Sequence, residues 1–312
     1  MSKPIPILLD GDPGHDDAIA WMLAASSPDL KILSVTSSSG NQTIEKTTNN
    51  ALRVMALLGI DAPMAAGAVK PLISPPAPGP EVHGDSGLDG ADLPEPAQEP
   101  VDMPAAELMA QVIKASPDPV TLVPTGPLTN IAALFLAHPE VKENIARISL
   151  MGGGVTHGNW VPAAEFNILL DPEAADIVYR AGIPITMAGL DVTEKAMLLP
   201  SDFARIRAVG GRVATVYADL LEFFYRYHPS LGYPGAPIHD GVAVAWLLKP
   251  ELFQGRDMHV DVETGGTYSR GATIGDPYGL SGKAPNAFVL SGVDRPAFAD
   301  LFVEAVSHWK EG

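Results

Sequence analysis

Near its start the chain has an apolar run, residues 7–9, that leads into a group of aspartates. Asp10 and Asp12 follow the run, a Pro-Gly turn comes next, and Asp16 and Asp17 precede apolar residues at helical spacing. This order predicts a strand, a tight turn and a helix. Two carboxylates would lie at the end of the strand and two in the first helical turn, where the helix dipole favours negative charge. We therefore expect four carboxylates to meet at one strand terminus.

Such a group of carboxylates indicates a bound cation, because buried carboxylates in contact repel each other and otherwise take up protons. Ligands that are all oxygens favour a hard divalent ion, calcium or magnesium, over zinc. The stretch is not an EF-hand loop, since counting from Asp10 puts His15 sixth and Trp21 twelfth, where Gly and Glu are needed. The alternative is that Asp16 and Asp17 only cap the helix while the other two aspartates are solvated.

The composition limits the partners that this chain can bind. It has 312 residues, of which 46% are hydrophobic, and a formal net charge of −17. Such a charge argues against binding to nucleic acid, which depends on Lys and Arg replacing counterions. The chain has no cysteine, so neither a disulfide nor a thiolate metal site can form. No segment resembles a signal peptide or a transmembrane helix, and we expect a cytoplasmic enzyme with no membrane partner.

Strand and helix patterns alternate along the chain, which predicts an α/β fold with a mainly parallel (mixed) sheet, helices on both faces and a Rossmann-like open arrangement. We treat residues 1–312 as one domain. After the first strand, further strands are expected at 31–36, 63–67, 120–123, 145–151, 183–190, 258–263, 271–274 and 287–290. Later helices are expected at 105–115, 128–137, 171–181, within 201–227 and at 238–248, with a last one near the end. Polar residues follow the predicted strands, where ligands bind in such sheets.

One long segment interrupts the alternation. Residues 71–104 contain nine prolines and a polar stretch around His83. A loop of this length in a compact domain is usually functional or disordered. Because the α/β pattern is the same on both sides, we predict a flap over a site and not a linker between domains.

The aspartate motif resembles the N-terminal signature of the nucleoside hydrolases, which cleave the N-glycosidic bond of nucleosides with a bound calcium ion. Further similarities follow in the same order over nearly the whole chain, and together they are more specific than one motif. They are Gly40-Asn41-Gln42-Thr43, Val123-Pro124-Thr125-Gly126, Leu150-Met151-Gly152-Gly153-Gly154, Gly158-Asn159, Ala164-Glu165-Phe166-Asn167, Asp171-Pro172-Glu173-Ala174-Ala175 and His239-Asp240.

The resemblance implies a role for each residue of the reaction centre. The Ca²⁺ ligands would be Asp12, Asp17, the backbone carbonyl of Thr125 and Asp240. Asp12 would also be the general base that activates water, and the calcium would lower the pKa of that water. His239 would protonate the departing base, a role suited to a side chain that titrates near neutral pH. Read without the family, Thr125 is a turn residue, and His239 an incidental histidine beside a capping aspartate.

The resemblance also implies the substrate contacts. They would be Asp16, Asn41, His83, Met151, Asn159, Glu165, Phe166 and Asn167, most of them around the ribose. Taken singly, Asn41 and Asn159 are typical turn residues and Glu165 a surface charge. Asp10 would orient Asp12 or a water molecule beside the metal. Candidate apolar walls for the base are Trp160, Phe166, Tyr227 and Tyr233, each of which could equally be core.

Several stretches look most like the branch of the family that prefers pyrimidine ribonucleosides, among them the one around His83 and the one before His239. We therefore expect uridine and cytidine as preferred substrates. A purine-preferring or nonspecific nucleoside hydrolase, a magnesium-dependent phosphatase with an Asp-x-Asp motif and a non-catalytic nucleoside-binding protein are the alternatives. We also expect a homo-oligomer, a dimer or a tetramer, although no residue pattern bears on the oligomeric state.

Overall fold

The computed structural model describes residues 3–77 and 79–310, so that residues 1–2, 78 and 311–312 of the predicted domain and flap lie outside it. The strands are β1 (Ile5–Gly11), β2 (Leu30–Ser37), β3 (Met64–Ala66), β4 (Val120–Pro124), β5 (Ile145–Met151), β6 (Ile185–Ala188), β7 (Met197–Leu198), β8 (Ala236–Pro237), β9 (Phe253–Val262), β10 (Thr273–Asp276) and β11 (Ala287–Val293). The helices are α1 (His15–Ser26), α2 (Ile44–Leu58), α3 (Pro80–His83), α4 (Ala105–Ala115), α5 (Thr129–Ala137), α6 (Phe166–Leu170), α7 (Pro172–Tyr179), α8 (Leu190–Thr193), α9 (Pro200–Val209), α10 (Gly211–Tyr225), α11 (His239–Leu248) and α12 (Arg295–Val306).

One large sheet organises the molecule. In the part of the chain that the structure describes, it has nine strands in the order β10-β9-β11-β6-β5-β4-β1-β2-β3, while β7 and β8 form a separate pair. From β3 to β11 all neighbours are parallel, whereas β9 is antiparallel to both β11 and β10. This confirms the mainly parallel, mixed sheet that the sequence predicts.

Helices cover both faces of the sheet because successive strand residues point in opposite directions. Ile7 and Leu9 of β1 pack into the core beneath α1, α2, α10, α11 and α12. Leu8, between them, packs into the opposite core with α4, α5 and α7. Burial of β1 on both faces explains why its sequence is an uninterrupted apolar run. Among the described residues, no helix is long and apolar enough to cross a membrane.

The strand order reverses beside β1. The chain passes from β1 to β2 and β3 on one side, then returns to β4 on the other side and continues to β5 and β6. Ligands of open α/β sheets bind outside the carboxyl ends of the strands at such a point. Asp12 directly follows β1 and Thr125 directly follows β4, so these two predicted metal ligands lie at the reversal.

Some predicted bounds were wrong. β6 ends at Ala188 and not at residue 190, because Gly189 is the N-cap of α8. β9 begins at Phe253, five residues before its predicted start, because its backbone pairs with β11 up to Val293 although the side chains there do not alternate. The two-residue strands β7 and β8 and the short helices α6 and α8 were missed, since none is long enough to show a hydrophobic period.

Residues 79–103 of the predicted flap are held to the body of the protein by hydrogen bonds. The Asn50 side-chain amide donates to the Ser86 carbonyl at 2.8 Å and the Arg53 Nε to the Pro94 carbonyl at 3.0 Å. The Val101 amide donates to the carbonyl of Met64 in β3 at 2.7 Å. This segment therefore lies along α2 and β3.

Candidate active site

The end of β1 is fixed by a buried carboxylate. Asp10 Oδ1 accepts hydrogen bonds from the Thr36 hydroxyl at 2.6 Å and from the Asn130 side-chain amide at 2.8 Å. Burial raises the pKa of Asp10 to about 7. Asp10 therefore ties β1 to β2 and α5.

The Asp12 carboxylate lies in a slot between two glycines. A Cβ on Gly40 would lie 2.0 Å from Asp12 Oδ2, and one on Gly126 would lie 2.4 Å from Oδ1. The Asn41 backbone amide donates to Oδ2 at 2.6 Å, whereas Oδ1 has no hydrogen-bond partner among the described residues. Burial, followed by the charge of Asp17, raises the pKa of Asp12 well above its usual range.

Three further aspartates bring their carboxylates together. Each of these carboxylates contributes one oxygen to a group whose atoms lie within 4.8 Å of one another, and all three side chains are buried; the residues are Asp16, Asp17 and Asp240. Asp17 is held by the Thr125 hydroxyl at 2.7 Å and the Gly14 amide at 3.0 Å. Burial and the charge of Asp17 raise the pKa of Asp16 to about 8, and burial with the charge of Asp16 raises that of Asp240.

These residues fit a divalent cation. All the candidate ligand atoms are oxygens, which suits a hard ion. Within residues 3–77 and 79–310, Asp12 Oδ1 and Asp16 Oδ1 are buried and lack a hydrogen-bond donor, which is costly unless a cation or a proton compensates. Asp16, which we expected at the ribose, belongs to the close group of three, whereas Asp12 lies outside that group although the charges of Asp16 and Asp17 act on it.

The loops after β4 and β5 are joined to this group. The side-chain amide of Asn167 donates to the Thr125 carbonyl at 2.8 Å. Glu165 caps α6, and its carboxylate accepts from the backbone amides of Gly153 at 2.8 Å, Asn167 at 2.9 Å and Ile168 at 3.2 Å. Glu165 is 2% exposed, so the interpretation as a surface charge was wrong.

A single pocket collects the predicted contacts. The eight residues expected to touch the substrate all line it, and Thr125, His239 and Asp240 do so as well. The four candidates for the apolar walls also line it. Trp160 and Phe166 meet edge to face there, with ring centroids 4.8 Å apart. The pocket therefore has an acidic end at the strand termini and an aromatic end beyond it.

Comparisons with known proteins identify the family of this chain. The model of the inosine-uridine preferring nucleoside hydrolase family matches residues 7–300. The chain belongs to this family. This confirms the family that the sequence motifs indicate.

Curated and solved nucleoside hydrolases resemble the chain over nearly its full length. The pyrimidine-specific ribonucleoside hydrolase RihA of Shewanella woodyi is 56% identical over 304 residues, which cover 96% of this chain and 97% of that protein. RihA of Salmonella newport is 54% identical over 308 residues, 98% and 99% of the two chains. The structure of a purine-preferring ribonucleoside hydrolase from Gardnerella vaginalis has a TM-score of 0.91 at 32% identity and covers 98% of this chain and 99% of that one.

In this nucleoside hydrolase, His239 begins α11 beside Asp240. Its Nδ1 lies 2.8 Å from the Thr193 hydroxyl oxygen, which leaves Nε2 available to the pocket. Burial lowers the pKa of His239 to about 3. The expectation that His239 titrates near neutral pH was therefore wrong, because the enclosed site disfavours the imidazolium.

Sequence reasoning missed several pocket residues at the aromatic end. Phe224 lies in the apolar stripe of α10, whose helical spacing is typical of core residues, yet it lines the pocket. His228 and Glu194 also line it, and His228 contacts Phe224 edge to face at 4.5 Å between centroids. These residues lie in no motif, and the periodicity of α10 cannot distinguish a side chain that faces the core from one that faces a cavity.

Proposed function

We propose that this protein hydrolyses the N-glycosidic bond of ribonucleosides to ribose and free base, with Ca²⁺ as its metal and with a preference for pyrimidine nucleosides. The observation that carries the proposal is the pocket that Asp16 and Asp240 of the acidic group line together with His239; Asp12 and Asp17 lie outside its lining. A hydrolase of this kind needs an activated water, stabilisation of a positively charged sugar and a proton for the leaving base.

The metal would be held by Asp12, Asp17, Asp240 and the backbone carbonyl of Thr125, with Asp16 as a further oxygen beside them. When bound, a divalent cation compensates the carboxylate charges and lowers the pKa of a neighbouring water. The raised pKa values of these aspartates are the expected property of such a site without its cation.

Asp12 is the residue to which we assign the general base. The Asn41 amide fixes its Oδ2, so the carboxylate keeps one orientation, and Oδ1 is the oxygen that can accept a proton from water. A raised pKa makes a carboxylate a stronger base for this transfer.

The ribose would lie against the acidic end. Asn167 is held by its bond to the Thr125 carbonyl, and Asn41 by its amide contact with Asp12, so both present fixed groups to the sugar hydroxyls. Asn159 accepts from the Phe166 amide at 3.0 Å, which places it at the rim with the aromatic residues. The carboxylates of Asp16 and Glu165 favour the positive charge that develops on the sugar ring.

The base would lie among the aromatic rings, with His239 as its hydrogen-bond donor. If the Thr193 hydroxyl donates to Nδ1, the neutral imidazole carries its proton on Nε2 and can donate a hydrogen bond to the departing base, which stabilises the negative charge that develops there. A pyrimidine has no N7 to protonate, so a donor aimed at its O2 or ring is needed. The relatives at 54–56% identity that are named pyrimidine-specific support this preference, whereas the purine-preferring neighbour is only 32% identical.

A panel of nucleosides tests the proposal. We expect kcat/KM to be higher for uridine and cytidine than for inosine and adenosine, in the presence of Ca²⁺, with release of ribose measured in each case. Treatment with a chelator should abolish the activity, and Ca²⁺ should restore it. A preference for inosine would contradict the pyrimidine assignment alone, while release of no ribose from any nucleoside would contradict the hydrolase itself.

A further inference from the structure

His15, the first residue of α1, lies behind the pocket and has no role in the chemistry above. Its Nε2 lies 2.8 Å from the Asp89 carbonyl oxygen, and its Nδ1 lies 3.1 Å from Nδ1 of His83. A carbonyl oxygen only accepts hydrogen bonds, so Nε2 of His15 carries a proton and donates it. His15 therefore connects Asp89 of the flap with His83, which lines the pocket.

The packing around the two histidines is equally specific. Their rings stack with centroids 5.4 Å apart, and Phe224 stacks against both, at 5.5 Å from His15 and 5.4 Å from His83. Because Nδ1 of His15 is the unprotonated nitrogen, the proton between the two rings belongs to His83 Nδ1, which donates to His15. The His15 backbone nitrogen lies 3.2 Å from the same His83 atom. A Cβ on Gly14 would lie 2.7 Å from that same nitrogen. The first turn of α1 thus has room for the His83 ring in one position.

The Asp89 carbonyl is itself held in place. The Asp89 carboxylate accepts from the backbone amides of Asp85 at 2.9 Å and Ser86 at 3.1 Å, which closes a turn within the flap. Asn50 of α2 holds that turn through the Ser86 carbonyl and also binds the Pro13 carbonyl at 3.1 Å. His15 therefore lies between a fixed turn and the pocket residue His83.

We propose that His15 is a positioning residue that sets the orientation of the His83 ring toward the nucleoside. The proposal rests on the hydrolase function above and deepens it, because it assigns part of the substrate selectivity to a residue outside the pocket. With Nδ1 of His83 turned toward His15, only Nε2 of His83 is left for the substrate. Loss of the His15 nitrogens would leave the His83 ring free to turn, and the contact with the base would weaken.

A double-mutant cycle tests this dependence. His15→Phe keeps a ring for stacking and removes both nitrogens, and we expect it to lower kcat/KM for uridine about tenfold, as one buried hydrogen bond is at stake. In a His83→Ala background the same change should have no further effect, because coupled residues are not additive. His15→Gln, which can both donate and accept, should recover part of the loss. Effects of His15→Phe and His83→Ala that simply multiply would overturn the proposal.

Tyr217→Phe is the matched control. The Tyr217 hydroxyl donates to the Ala18 carbonyl of α1 at 2.9 Å, and the residue is fully buried outside the pocket. Its removal costs α1 a buried hydrogen bond without touching His83, so its effect should be the same with and without His83→Ala. If Tyr217→Phe also lost its effect in the His83→Ala background, the coupling would not be specific to His15.

A second readout separates this inference from the hydrolase proposal. In protein labelled with ¹⁵N-histidine, the ring signals of His83, assigned by their loss in His83→Ala, should shift in His15→Phe and stay unchanged in Tyr217→Phe. Unchanged His83 signals in His15→Phe would overturn the inference even if uridine is cleaved. Absence of nucleoside cleavage by the wild type would overturn the function and leave the NMR result to decide the positioning role.

Discussion

The two ends of the pocket are built in different ways. The acidic end is lined by residues that follow a strand or begin a helix, Asp16, Thr125 and Asp240, while Asp12 and Asp17 lie beside them outside the lining. The aromatic end consists of residues from segments that do not pair in the large sheet, His83, Phe224, His228, Tyr233 and His239. Sheet pairing and short hydrogen bonds fix the first group, whereas stacking of rings holds much of the second.

This difference indicates that the acidic end carries out the reaction and that the aromatic end selects the substrate. Every ribonucleoside presents the same ribose and the same bond, so the acidic end has the same task for each. The base differs among substrates, and it meets the aromatic end. Changes at the acidic end should therefore affect all nucleosides alike, and changes at the aromatic end should affect them unequally.

The largest effect is expected from Asp12→Asn. It keeps the shape of the side chain and removes the base, so kcat should fall by about two to four orders of magnitude, the range for general acid–base groups. The loss should be equal for uridine and inosine. Metal content must be measured in the same sample, since Asp12 is also an expected ligand. Retained activity with full metal occupancy would assign the base to another residue.

His239→Ala should have the next largest effect, and it should depend on the substrate. We expect a loss of about 10² in kcat for uridine, because the hydrogen-bond donor to the departing base is removed, and a smaller loss for inosine, whose base can be protonated at N7. Measuring kcat of the wild type and of the variant with uridine and with inosine gives the loss for each substrate. An equal loss for both substrates would contradict the claim that the aromatic end distinguishes between bases.

Without its metal, the protein should become less stable as pH rises through neutrality. Asp10 and Asp16, with pKa values of about 7 and 8, stay protonated in the fold at pH values where the unfolded chain, with pKa values near 3.8, has lost those protons. The unfolded chain then binds fewer protons, so stability falls as pH rises. Below about pH 6.5 the buried histidines, whose pKa values are lowered, make stability rise with pH and so oppose the effect of the aspartates. The effect of the aspartates is therefore best measured between pH 6.5 and 8.

In that window the metal-free protein should lose about 2–3 kcal/mol of unfolding free energy from Asp10 and Asp16 together, since one pKa unit corresponds to about 1.4 kcal/mol. Ca²⁺ should remove this loss, because it binds the ionised carboxylates of the folded state. Thermal unfolding measured across this pH range, once in chelator and once in Ca²⁺, gives the loss of stability without metal and its recovery with metal. A metal-free stability that rises with pH there would contradict the cation site.

The smallest effect is expected from Trp160→Ala at the rim of the aromatic end. Trp160 is partly exposed and meets Phe166 edge to face, so KM for uridine should rise about threefold, as for one aromatic contact, with kcat little changed. Tyr268→Ala is the matched control, because Tyr268 is 92% exposed and does not line the pocket. A larger loss in kcat than in KM would assign Trp160 a part in the chemistry.

The sequence predicted the close approach of carboxylates at the acidic end for a physical reason. A strand buried on both faces leaves an apolar run, and polar residues just after such runs meet at one edge of the sheet, so the residues after β1 and β4 could be expected at the same edge. The metal role of Thr125 came from the family resemblance. Asp240 was added only through the family resemblance, because nothing local to it indicates that it reaches α1.

For the aromatic end, the sequence gives fewer signals that identify pocket residues. Phe224 follows the same helical period as the core residues around it, and His228 belongs to a 3₁₀ turn of four residues that shows no period. The pKa of His239 depends on enclosure by several distant segments, which no local pattern records. These features arise from tertiary packing and could be found only in the folded structure.

The slot around Asp12 limits how this site could be redesigned. Gly40 and Gly126 approach both carboxylate oxygens so closely that neither glycine can gain a methyl group while Asp12 keeps its position. A longer side chain at position 12 meets the same two walls, so Glu is a poor replacement despite its identical charge. Positions 12, 40 and 126 therefore have to be chosen together in any designed library, although they lie in three separate loops of the chain.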